Sequence, residues 1–215
     1  FAGWTEGGGT EPQQTVTIPR GSTGDKTYTA HWTLSAPTVT LSADPADASG
    51  TYSGGSPVVT LTAQASHEVG VTDTYAWYKD GQLLDGKTDR TLELTDVAHS
   101  GTYTASATVR DAGGQQAVGT SNPVTVTIRG ATPDYTVPTG LTAAYGDKLS
   151  SVALPEGWAW EDGDALVGSA GERSHAAIFT PADPDNYETV QQMVTVMVSK
   201  VTLTPDVLSV ENKEY

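Results

Sequence analysis

Asp96, His99 and Ser100 are the residue types of a nucleophilic relay, and they fall in one short stretch. Such chemistry needs a His nitrogen within reach of the Ser hydroxyl, a third group orienting the imidazole, and an oxyanion site beside them. These three lie on a tight corner between strand-like runs, with no cleft implied, so they are read as turn residues. His31, His67 and His175 fall in separate places, away from paired carboxylates, and no catalytic residue is assigned. Asp183, Asp185 and Asn186 offer oxygens of the kind calcium takes, but the stretch lacks the central Gly and bidentate Glu of a calcium loop. They are read as turn formers bonding their own backbone, with no metal and no cofactor assigned. A Lys–Asn isopeptide link needs its partners on adjacent core strands. Lys79, Lys87 and Lys148 instead sit beside turn signals, and Asn122 and Asn186 adjoin Pro or lie in a turn. No helix follows Gly7-Gly8-Gly9 to aim backbone N–H groups at a phosphate.

Trp158 and Trp160 are two apart and share one face if they lie on a strand. An exposed pair would stack against sugar rings, with Glu156, Glu161, Asp162 and Asp164 accepting hydroxyl hydrogen bonds. A small domain also needs such indoles to close its core, and this second reading is preferred.

The elements that must position these side chains are strands. The 215 residues include 23 Gly and 12 Pro, which interrupt nearly every window long enough for a helix. Alternating runs recur at Thr15-Val16-Thr17-Ile18, Val58 to Ala65, Thr74 to Lys79, Thr91 to Leu94, Thr102 to Val109, Val124 to Ile128 and Val194 to Val198. The chain is therefore expected to be all-β. Segment boundaries are expected near residues 33 to 36, 129 to 134 and 199 to 201.

A formal charge of −15 argues against a grip on nucleic acid or anionic lipid, because neutralising phosphates takes Lys and Arg. The acidity is spread along the chain and reads as a solubilising surface. With no cysteine there are no disulfides, thiolate nucleophiles or Cys-based metal sites, so packing alone must hold the fold. Cysteine avoidance suits the reducing cytosol and the Gram-positive surface alike. No apolar run reaches about 18 residues, so no membrane-spanning helix is expected. The chain starts at Phe1 with no basic-then-apolar leader, and is read as an internal piece of a longer product.

Three resemblances go further. Residues 34–130 resemble a bacterial Ig-like domain through Ala76-Trp77-Tyr78-Lys79-Asp80-Gly81 and the run from Leu92 to Tyr103. That likeness implies a sandwich with Trp77 in its core and a corner closed by the Tyr103 hydroxyl. Disulfide-bonded relatives carry cysteines on either side of that core Trp; Ala63 and Ala105 stand in their places. Residues 131–200 resemble a tandem repeat of large Gram-positive surface proteins through Ala144-Tyr145-Gly146, Leu154-Pro155-Glu156-Gly157-Trp158-Ala159-Trp160, Phe179-Thr180-Pro181 and Asn186-Tyr187. Tyr145, Leu149, Val152, Leu154, Val194 and Val196 are among the expected core residues of this second small β-sandwich-like domain. Residues 1–33, ending Tyr28-Thr29-Ala30-His31-Trp32, resemble the C-terminal half of a Listeria-Bacteroides repeat, a β-hairpin remnant in which Val16, Ile18 and Trp32 lack part of their cover. Residues 201–215 resemble the opening strand of a next repeat, with Val201 to Leu208 offering a free edge.

Together these imply a non-enzymatic spacer segment of a secreted or wall-attached bacterial surface protein, with adhesion as an added role. The alternatives are a module binding a host protein or glycan, and an accessory region of a large extracellular hydrolase.

Overall fold

The computed structural model describes residues 1–202, and the chain divides into two compact units, Phe1–Arg129 and Gly130–Tyr215. In the first, β1 (Gly3–Glu6) and β2 (Tyr28–His31) pair antiparallel, with Gly3 opposite His31. The run Thr15-Val16-Thr17-Ile18 is not a strand: Gln13 bridges Trp4, and the chain then continues outside any ladder, with Val16 and Ile18 exposed. Alternation becomes a strand only where a neighbouring backbone supplies the hydrogen bonds, and Pro12 and Pro19 bracket this run without donors of their own.

The body of this unit comprises β3 (Thr38–Asp44), β4 (Ser49–Thr51), β5 (Val59–Ser66), β6 (Val71–Lys79), β7 (Gln82–Leu83), β8 (Thr91–Leu94), β9 (Gly101–Arg110), β10 (Gln116–Thr120) and β11 (Val124–Arg129). One sheet is β3-β5-β8. The other runs β4-β11-β9-β6-β7, with β10 also beside β9. This is an immunoglobulin-like sandwich, and the period of two explains it. Val59, Leu61, Ala63, Leu92 and Leu94 line one inner face, while Trp77, Tyr103, Ala105, Val126 and Ile128 line the other. The Trp77 indole is fully buried and donates to the Asp89 carbonyl at 2.9 Å. Burying that ring contributes on the order of 3 kcal/mol, which no disulfide is present to supplement.

Two local devices keep the sheets in register. Asp80 and Gly81 take φ of +51° and +79°, the double left-handed geometry of a tight hairpin turn, and so place Gln82 opposite Lys79. On the far side of β9 the ladder is broken between β10 and β11 at Ser121-Asn122-Pro123. Ser121 mends the gap: its N–H donates to the Ala105 carbonyl at 2.9 Å, and its Oγ accepts the Ala105 N–H at 3.0 Å. A buried backbone donor is thereby kept satisfied where Pro123 and its neighbours cannot pair.

The register also fixes where the chain enters and leaves this sandwich. Thr38 pairs with Ser66, at the end where β5 turns into β6 and Val71 faces Arg110. Arg129 pairs with Thr51, beyond the opposite end of β9, where Val126 faces Gly101. The two ends lie at opposite poles.

The second unit is a four-stranded sheet of β12 (Leu141–Ala144), β13 (Trp158–Trp160), β14 (Gly171–Phe179) and β15 (Val190–Ser199), in the order β12-β15-β14-β13. Strand β12 runs parallel to β15, and the other pairings are antiparallel. A 3₁₀ turn at Leu149–Ser151, followed by Val152 and Val167, covers one face, so the second layer of this smaller body is made of turns. Val196 and Val198 face that layer, while Met193 and Met197 lie exposed on the other side. Leu149, Val152, Val194 and Val196 are buried as expected and Leu154 is half-buried, but Tyr145 is 61% exposed. It sits on the turn after β12, where its N–H bonds the Ser199 carbonyl and Gly146 at φ +95° swings the chain away from the core. Ala131 bridges Tyr187 just ahead of β15, and Ala144 pairs with Ser199 at its far end, so this unit too is traversed from end to end. The opening strand read over Val201 to Leu208 lies outside the described residues apart from Val201 and Thr202.

Candidate functional site

The Asp96–Ser100 corner is a single 3₁₀ turn, Val97–His99, between β8 and β9. His99 Nδ1 accepts the backbone N–H groups of both Thr95 and Asp96 at 3.1 Å. Ser100 Oγ is turned to β11, the strand beside β9, accepting the Ile128 N–H at 2.8 Å and donating to the Ile128 carbonyl at 3.1 Å. The imidazole acceptor and the hydroxyl are each committed to backbone, and no relay between them is assembled. The Tyr103 hydroxyl donates to the His99 carbonyl at 2.6 Å and closes the corner. Burial, with the Asp80 carboxylate adding to it, pushes that phenol up to about 12, so it remains a donor well above neutral pH.

The other sequence candidates are also engaged locally. Asn186 Nδ2 donates to the Asp183 carboxylate at 3.1 Å, a bond between side chains and not to their own backbone, and the Asp183 carbonyl accepts the Tyr187 N–H at 3.1 Å. Lys79 Nζ bonds the Ala98 carbonyl at 2.5 Å, and Lys148 pairs with Asp164 at 2.8 Å on the surface. Lys79 is half-buried at the end of β6, opposite Tyr103 of β9, while Lys87 and Asn122 are exposed and Asn186 lies in a turn.

Trp158 and Trp160 are both half-buried on β13. Trp158 packs against Phe179 and Tyr135 at centroid distances of 5.4 and 6.0 Å. Trp160 donates its indole N–H to the Val152 carbonyl at 2.9 Å and packs on the valine core. The pair seals the small unit and does not present an open stacking platform.

An open aromatic surface lies beside β1 and β2. Phe1 contacts Trp4 and Trp32 edge-on at 5.4 and 5.2 Å, and Trp32 is 66% exposed. Beside Trp32 runs a groove of about 680 Å³, continuing along the linker to Thr38 and the loop Ser66–Val69. Gln115 fixes its floor, donating through Nε2 to the Trp32 carbonyl and the Asp111 carboxylate, both at 3.2 Å. Asp111 Oδ1 accepts the N–H groups of Gly113 and Gln115, which locks the turn after β9. The exposure of Trp32 was legible in the sequence. The groove was not, because Asp111 and Gln115 join Trp32 only through the pairing of distant strands.

No protein-family model matches the chain, and no curated protein matches it. Among solved structures, it is similar to a Ca2+-stabilized adhesin that helps an Antarctic bacterium reach out and bind ice, at 14% identity and a TM-score of 0.36 over 78% of this chain; the chain spans 50% of that structure. It is also similar to the fibronectin(III)-like modules of Clostridium thermocellum CbhA, at 14% identity and a TM-score of 0.27, covering 81% of this chain and 100% of that one. A third is a 1.5-MDa bacterial ice-binding adhesin retained at its host cell surface, at 12% identity and a TM-score of 0.31, covering 81% of this chain and 69% of the other. The fold assignment rests on the strand register described above.

Proposed function

We propose that this chain is a non-enzymatic spacer of a secreted or wall-attached bacterial surface protein, with segments 1–33, 34–130, 131–200 and 201–215 as successive modules or parts of modules. The observation that supports this reading is the path of the chain: the sandwich from Thr38 to Arg129 and the second unit from Ala131 to Ser199 each take it in at one end of their long strands and release it at the other. A ten-residue strand such as β9 or β15 spans roughly 33 Å, so each folded unit advances the chain by about that length. A fold whose ends met at one pole would add mass without reach. The dispersed −15 charge suits such a role by keeping repeated units soluble and apart. No helix among the described residues is long and apolar enough to cross a membrane.

The test is surface labelling. Antibodies raised against the 215-residue chain are expected to label intact source cells, and external protease is expected to remove the signal. Labelling confined to permeabilised cells overturns the reading.

A further inference from the structure

We infer that the groove beside Trp32 is a binding site for a neutral glycan, a role beyond that of a spacer. Three features of the groove lead to that ligand class.

The first is the platform. Trp32 presents an indole that is 66% exposed at the rim, and its backbone carbonyl accepts a hydrogen bond from Gln115. Phe1 and Trp4 lie beside it and widen the apolar surface. Aromatic faces carry negative charge density and attract the slightly positive C–H faces of pyranose rings. Trp158 and Trp160 are packed into their own unit and do not offer this.

The second is the wall. Ligand sites run from about 300 to 1,000 Å³, and this groove of about 680 Å³ has room for more than one sugar ring. Ser35, Thr38, Ser66, His67 and Glu68 border it, a set of short donors and acceptors that matches ring hydroxyls.

The third is charge. Glu68 and Asp111 line the groove and no Lys or Arg does, on a chain of net −15, so uronic and sulfated glycans are repelled. A basic peptide would satisfy the sign but not the geometry. Both Asp111 oxygens already accept N–H groups from Gly113 and Gln115, which leaves Glu68 as the one lining carboxylate outside that network. A single open carboxylate among hydroxyls fits a polyol better than a polycation.

The test uses the full 215-residue chain, isotope-labelled and titrated with cellohexaose, mannohexaose and N-acetylchitohexaose, with hexagalacturonate and hexalysine as the charged probes. At least one neutral hexasaccharide is expected to shift the resonances of Trp32, His67 and Gln115 saturably. Trp32→Ala, an exposed position, is expected to weaken that binding at least tenfold, and Glu68→Gln, which keeps a hydrogen-bonding group, by less than about threefold. The inference is overturned if no neutral probe moves these resonances at about 10 mM, if hexalysine binds more tightly and loses its binding in Glu68→Gln, or if Trp32→Ala binds as the parent does. None of these outcomes touches the spacer reading, which depends on chain path alone.

Discussion

Replacing both Ala63 and Ala105 with cysteine should create the inter-sheet disulfide that this sandwich lacks. Both methyl groups are fully buried in the same core cluster as Trp77, one on β5 and one on β9. The link would close a loop of about 40 residues, for which the chain-entropy relation gives ~4 kcal/mol at 25 °C. Comparing the oxidised with the reduced form of the same variant cancels most of the cost of fitting two sulfurs into a filled core, which is about 1–3 kcal/mol. Engineered links return less than the ideal, so about 2–4 kcal/mol is expected between the two forms. In a unit of this size that corresponds to a rise of roughly 7–15 °C in the first unit's Tm on oxidation. Intact mass reports loss of two hydrogens, and calorimetry with and without reductant reports the shift. Thiols that stay free under oxidant, or an oxidised form melting below the reduced one, would refute the inference that positions 63 and 105 lie within disulfide reach across the two sheets.

Tyr103→Phe removes the hydrogen bond to the His99 carbonyl at 2.6 Å from a side chain only 1% exposed, and should cost about 1–2 kcal/mol in urea unfolding followed by Trp fluorescence. Because folding raises the Tyr103 phenol above its ordinary value to about 12, its contribution is complete below about pH 10 and lost as pH climbs through 12. The parent should therefore lose stability more steeply than Tyr103→Phe across that window; equal slopes would contradict the burial of the phenol. Ser100→Ala strips both hydrogen bonds from Ile128 and should lower stability by about 1–3 kcal/mol, with ester hydrolysis no different from the parent's. Ester turnover abolished by that single change would restore the relay. Trp158→Ala, which dismantles the ring contacts with Phe179 and Tyr135, should destabilise the second unit by about 3–4 kcal/mol while the first unit's transition stays in place.

What the sequence disclosed follows the reach of each interaction. Trp77, Tyr103 and the Asp80-Gly81 turn are local signals, carried by residue type and short spacing, and each stands where the alternation places it. Features that depend on a distant partner were illegible. Ser121 mending the ladder at Ala105, and Ser100 turned to Ile128, are set by tertiary pairing across long stretches of chain. Thr15–Ile18 has the alternation of a strand but no ladder, and Tyr145 has the chemistry of a core residue but sits on a turn. Period and hydrophobicity state what a segment can do; a neighbouring backbone decides whether it does so. The partners within the Asp96–Ser100 corner were hidden in the same way, since the sequence shows a turn but not which backbone groups hold His99 Nδ1 and Ser100 Oγ.

A spacer must hold its two ends apart. Since the chain has no cysteine of its own, nitroxides can be placed solely at Thr38→Cys and Arg129→Cys, both on exposed positions, and their separation measured by pulsed dipolar spectroscopy. The register predicts a narrow distribution centred near 30 Å, about the length of nine strand residues. A mean below about 20 Å, or a broad spread reaching that value, would place both ends at one pole and contradict the account.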